Sequence, residues 1–160
     1  MLEHPEVAAC GGDIAEFTEE DTILREKNMP SSPQELYRYG KKRNPLNHMT
    51  VMFRKSAIEA VGGYRHFPGL EDYDLWSRLL ANGYQIANIP EVLVKARIGD
   101  RFASRRGGWA YFKRYLQLRK EQHRIGYLNI KEYIVACGLT FGMTVMPEKL
   151  REKAYAVLRK

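Results

Sequence analysis

Glu71, Asp72 and Asp74 crowd three carboxylates into the stretch Pro68 to Leu80 (PGLEDYDLWSRLL), where a glycine-bearing turn runs into an apolar-periodic segment. Carboxylates in such a place have two uses. One oxygen within hydrogen-bond distance of a substrate hydroxyl can take its proton as a general base. Alternatively, acids in a first helical turn offset the positive end of the helix macrodipole and remain solvated. Leu75, Trp76, Leu79 and Leu80 repeat behind them at helical spacing, so the acids stand at a helix start and the helix ends near Asn82-Gly83. Spacing leaves both uses open. A second chemical feature is the loop from Arg97 to Gly108 (RIGDRFASRRGG), which carries Arg97, Arg101, Arg105 and Arg106 and is either a phosphate-binding loop or a solvated basic one. His48 is a third candidate, a residue of either the core or the site.

The elements that must position these residues are short. Glu6 to Gly12 (EVAACGG) has the apolar run and glycine stop of a buried strand, which Ile14 to Phe17 continues or pairs with. Thr18 to Ser32 is polar and reads as a connection or lid. Pro33 begins a helix that runs into the basic cluster at Arg43, with Ser32 as its N-cap and Asn44-Pro45 as its break. The alternating run HMTVMF predicts a core strand between Asn47 and Arg54. Ser56 is the expected cap of a short helix that Gly62-Gly63 ends, since a left-handed backbone costs glycine little. Tyr84 to Ala96 (YQIANIPEVLVKA) predicts two strand pieces around Pro90. Helices follow from Trp109 to Gly126, from Asn129 to Met146, and in the charged stretch after Pro147.

At 160 residues, with 44% hydrophobic and 28% charged residues, the chain is long enough for a real core and is of globular rather than disordered composition. It has no apolar run of membrane-spanning length and no secretory pattern at its N-terminus, so a cytoplasmic location is expected. Cys10 and Cys137 have neither paired nor zinc-binding spacing. The net charge of +7 predicts anionic company: nucleotide phosphates, nucleic acid or a lipid surface. The basic, amphipathic Trp109 to Gly126 segment would suit peripheral membrane contact, or would simply be a solvated face. Nucleic acid rests on charge alone and is the weakest of these partners.

Beyond spacing, Asn44 to Arg97 closely resembles the C-terminal half of the catalytic domain of family 2 glycosyltransferases. The resemblance is carried by the H-x-x-V-M-F-R run, the helix ending V-G-G-Y, the E-D-Y-D-L-W helix, the N-I-P-E-V-L-V strand and the following Arg97. HPEVAACGGDIAEF is similar to the strand after that family's metal-binding acidic motif. The resemblance implies an α/β fold: a partial GT-A (Rossmann-like) sheet flanked by helices, with a mostly helical C-terminal tail. On this reading residues 1–100 are the acceptor-side half of such a domain, and 101–160 are a basic loop and helical extension.

The same resemblance implies the chemistry. Family members transfer a sugar with inversion from a nucleotide-sugar to a hydroxyl acceptor, here a sugar or a lipid-linked one, in bacterial cell-surface polysaccharide or glycolipid synthesis. By resemblance Asp72 is the base and Glu71 orients the acceptor. His48, Asp74, Arg97, Arg101 and Arg105 are carried over as substrate-binding, Asp74 with the weaker claim. The family's opening strand and its D-x-D motif, which holds Mg or Mn against the donor pyrophosphate, do not occur here, and Asp72-Tyr73-Asp74 lies in the acceptor-side motif. The expectation is therefore a fragment with no metal site and no transfer activity of its own, able to dimerise through an exposed sheet edge or, alternatively, serving as a non-catalytic sugar- or partner-binding module.

Overall fold

In the computed structural model, which describes residues 1–18, 22–98, 108–147, 149–151 and 154, the sheet is built on one long buried strand, β1 (Val7–Phe17). β2 (Ile23–Lys27) and β3 (Met52–Phe53) pair antiparallel with its two ends on one side. β4 (Gln85–Arg97) runs parallel to it along its whole length on the other. Helices α1 (Pro33–Gly40), α2 (Lys55–Ala60), α3 (Glu71–Ala81), α4 (Trp109–Arg124) and α5 (Ile130–Val145) complete a mixed α/β fold whose C-terminal part is helical. Among the described residues β4 has no partner beyond β1, so its outer edge is open.

α3 is the central helix. Its Leu75, Trp76, Leu79 and Leu80 are buried with Ala8, Ala9, Leu36, Leu46, Ile58 and Ile86, and its Tyr73 with Leu70 and Leu118 in a second cluster; each large apolar side chain so buried favours folding by about 1.5–3 kcal/mol. The Tyr73 hydroxyl donates to the Gly40 carbonyl at 2.7 Å and accepts from Arg119 at 2.9 Å, tying α1 and α4 to α3. The Ser32 hydroxyl caps α1 and Pro33 occupies its first turn, as the sequence predicts. Gly62 and Gly63 end α2 with φ of +83° and +63°, and Arg78 of α3 takes the carbonyls of Val61 and Gly63.

Several expectations are corrected. The strand expected in the core between Asn47 and Arg54 is instead a 3-10 turn (His48–Thr50) followed by the two-residue β3, whose Met52 and Phe53 are exposed. Polar side chains decide this. Asn47 donates to the Gly12 carbonyl at 2.9 Å, and Thr50 bonds both to Gly12 and to the Asn47 carbonyl, which closes a turn that alternation of hydropathy does not reveal. The expected lid contains β2, paired with the end of β1. α2 starts two residues earlier than expected, with Arg54 at its N-cap and no side-chain cap from Ser56. β1 continues through Gly11-Gly12, because the glycines admit neighbours: a Cβ at Gly11 would stand 2.7 Å from Asn88 Oδ1. Pro90 does not divide β4 into two strands; the pairing skips from Ile89 to Val92, so Pro90 and Glu91 form a bulge that spares the missing N–H.

Candidate active site

The acids meet a cavity. Gly69, with φ of +73°, turns the chain into Leu70 and the first turn of α3, and this turn faces a cavity of about 670 Å³. The other walls are the end of β1, Lys27 of β2, the Asn44–Met49 segment, the end of β4, and α4. Asp72 lines it. Its carboxylate is held at both oxygens: Asn44 Nδ2 donates to Oδ2 at 2.6 Å and the Tyr73 backbone N–H donates to Oδ1 at 2.7 Å. A carboxylate has about four acceptor positions, so each oxygen keeps one for a substrate hydroxyl.

His48 is exposed and lines the same cavity, 6.0 Å ring to ring from Tyr64 and 6.1 Å from Trp76. The core placement that its apolar neighbours suggested is not what is found, because its segment is a turn and not a strand. Burial first, and then the negative charges of Asp72 and Glu71, push the phenol of the half-exposed Tyr64 above its ordinary pKa. Glu71 stands at the first position of α3, half-buried and outside the cavity lining.

Asp74 is elsewhere. Only 1% exposed, it faces away from the cavity and is bracketed by Arg65 and Arg78, with Nε atoms at 3.0 and 2.9 Å from its Oδ2. Arg97, at the end of β4, lines the cavity with its guanidinium 5.7 Å from the centre of the Phe17 ring. Arg101 and Arg105 lie outside the described residues.

Three residues that spacing did not single out also line the cavity. Asn44, in sequence a helix breaker before Pro45, carries a side chain of the kind that bonds to nearby backbone. Lys27 lies in the stretch read as a lid, and its Nζ donates to Asn47 Oδ1 at 2.5 Å. Arg114 is one of the basic residues of the Trp109 to Gly126 segment, and it donates to the Pro68 carbonyl at 3.3 Å. The cavity thus has cations at Lys27, Arg97 and Arg114, with Asp72 among its lining residues. Among the described residues no group of three or more His, Cys, Asp or Glu side chains is arranged to hold a metal ion. None of the described helices is long and apolar enough to cross a membrane.

No protein-family model matches the chain. Individual proteins do. An uncharacterized glycosyltransferase of Haemophilus influenzae is 40% identical over 96% of this chain and 57% of its own length. The amylovoran biosynthesis glycosyltransferase AmsE of Erwinia amylovora is 34% identical over 100% of this chain and 60% of its own. The Escherichia coli UDP-Gal:alpha-D-GlcNAc-diphosphoundecaprenol beta-1,3-galactosyltransferase is 34% identical over 81% of this chain and 46% of its own. The chain spans about half to three-fifths of the length of these curated relatives. Its α/β fold and its Asp72 cavity therefore belong to a chain homologous, over nearly all of its residues, to parts of proteins named as glycosyltransferases.

Proposed function

We propose that this chain is the acceptor-side, base-carrying part of an inverting glycosyltransferase of family 2, with a GT-A-type fold, acting in cell-surface polysaccharide or glycolipid synthesis. The observation that carries the reading is Asp72: a carboxylate oriented at both oxygens, at the wall of a cavity that also holds Arg97, Lys27 and Arg114. The relatives' names supply the reaction class, since one is named for amylovoran synthesis and another for galactosyl transfer from UDP-Gal to a diphosphoundecaprenol-linked acceptor.

In this reading the acceptor hydroxyl donates to Asp72. As its oxygen attacks the anomeric carbon of the nucleotide-sugar, its proton passes to the carboxylate and the bond from that carbon to the diphosphate oxygen breaks. The diphosphate leaves with its electron pair, and the guanidinium and ammonium groups of Arg97, Lys27 and Arg114 offset the developing charge. Attack opposite the leaving group inverts the anomeric centre. His48 borders the acceptor position, while Tyr64, 6.0 Å ring to ring from it, and Glu71 stand outside the cavity lining. The resemblance implies Mg or Mn in the longer protein, but the described residues offer no ligand set for it, and no step is routed through one.

The test is Asp72→Asn in a chain of the relatives' full length. A general base is worth about 10²–10⁴ in rate, so sugar transfer should fall by at least about a hundredfold while donor binding is kept. Transfer within a few-fold of wild type would rule Asp72 out as the base. A non-catalytic binding module would instead show acceptor binding and no turnover in wild type and variant alike.

A further inference from the structure

α5 is built inside out. Toward the protein it turns Ala136, Thr140 and Thr144, all buried, and the two threonine hydroxyls are spent within the helix, donating to Ala136 O at 2.8 Å and Thr140 O at 2.9 Å. Its outer stripe carries Ile130, Ile134, Val135, Leu139, Phe141 and Val145, each at least 48% exposed. Nothing lies within 4 Å of a side chain added at Gly138 or Gly142 in the same stripe. A helix on the surface of a globular domain has the opposite arrangement, and a continuous exposed apolar stripe marks an interaction surface.

The charge around the stripe identifies its partner. The one acid of α5, Glu132, is held by Lys41 Nζ at 2.7 Å and by the Asn129 backbone N–H at 2.9 Å. α4 lies alongside, its Phe112 ring 5.5 Å from Phe141 and its one acid, Glu121, held by Arg65 and Arg124. The lysines of these two helices and of the segment after α5 are exposed: Lys113 and Lys120 on α4, Lys131 at the start of α5 and Lys149 beyond its end. Trp109, 60% exposed, stands 5.2 Å ring to ring from Phe112, with Lys113 Nζ 5.8 Å from its centre. An apolar stripe edged by tryptophan and lysine is the composition of a helix lying in a bilayer interface, where lysine stems run along apolar surface and their ammonium groups reach the headgroups. Two copies of this face would set lysine against lysine, whereas anionic lipid offers the opposite charge.

We propose that the outer stripe of α5, with Trp109 and the flanking lysines, docks the protein on anionic lipid bilayers. The surface does not depend on which reaction the cavity serves. α4 joins the two, since its Tyr111, Arg114 and Tyr115 line the cavity, so a docked molecule holds that cavity close to the lipid.

The test is co-sedimentation of the 160-residue chain with vesicles of phosphatidylcholine alone or mixed with phosphatidylglycerol. Binding should be at least about tenfold tighter to the mixed vesicles and should weaken as salt is raised. Trp109 emission should shift to the blue, while Trp76, already buried, contributes no change. Ile134→Asp and Leu139→Asp alter exposed side chains, so circular dichroism should match wild type while each lowers vesicle binding by about tenfold or more. Absence of binding to the mixed vesicles, or variants retained as well as wild type, overturns the proposal. So does a dimer in sedimentation equilibrium that both substitutions dissolve without lipid, which would assign the face to a second copy. The readout is binding and not turnover, so its failure is distinct from failure of the Asp72 test.

Discussion

Asn44 Nδ2 donates to Asp72 Oδ2 at 2.6 Å, across 28 positions of the chain. The bond sets the roll of the carboxylate while the Tyr73 amide holds its other oxygen, so the plane of the group is determined before any substrate arrives.

Asn44→Ala should free that plane. In a chain of the relatives' full length, kcat should fall about tenfold with little change in donor KM, because a misplaced group loses rate and not donor binding. Folding stability should fall by only about 1 kcal/mol, the net worth of one hydrogen bond. A purely structural role would show the stability loss with kcat unchanged.

Asp74→Asn should be a stability variant. It leaves Arg65 and Arg78 facing a neutral group under α3, where Asp74 is now 1% exposed. Removing one partner of a buried ion pair costs about 3–5 kcal/mol. Urea unfolding of the 160-residue chain measures it, and a loss below about 1 kcal/mol would contradict a structural cluster.

Glu121 makes stability depend on acid pH. The Arg124 guanidinium first, and then Arg65, hold its carboxyl at about 2, down from an ordinary 4.5. A carboxylate whose pKa is depressed on folding stabilises the protein above the unfolded value. That contribution is lost as pH falls from about 4.5 toward 2. Solvent around the cluster screens it to about 1 kcal/mol. Wild type should therefore lose about that much more than Glu121→Gln between pH 5 and pH 2 in urea titrations, and parallel losses in the two proteins would remove the effect.

Local chemistry is legible in the amino-acid order wherever one residue settles its own neighbourhood. The Ser32 cap and Pro33 start of α1, the glycine end of α2, and the extent of α3 with its acids in the first turn all follow from backbone constraint and apolar period. Spacing on the helix already gives Asp74 a weaker claim than Asp72, since positions two apart do not share a face. What packing added is the roll of α3, which opens Asp72 onto the cavity and sinks Asp74 between Arg65 and Arg78.

Tertiary packing decided what distant partners decide. HMTVMF has the pattern of a strand, but Asn47 and Thr50 find the backbone of Gly12 and close a turn, and that turn puts His48 on the cavity wall. Asn44 becomes a partner of Asp72 only because the α1-to-β3 connection crosses the start of α3. α5 is apolar in composition, as its sequence says, but which stripe stays bare depends on the face that α4 covers. Periodicity reports that a helix has apolar residues to bury; the neighbours available in the fold determine which of them are buried.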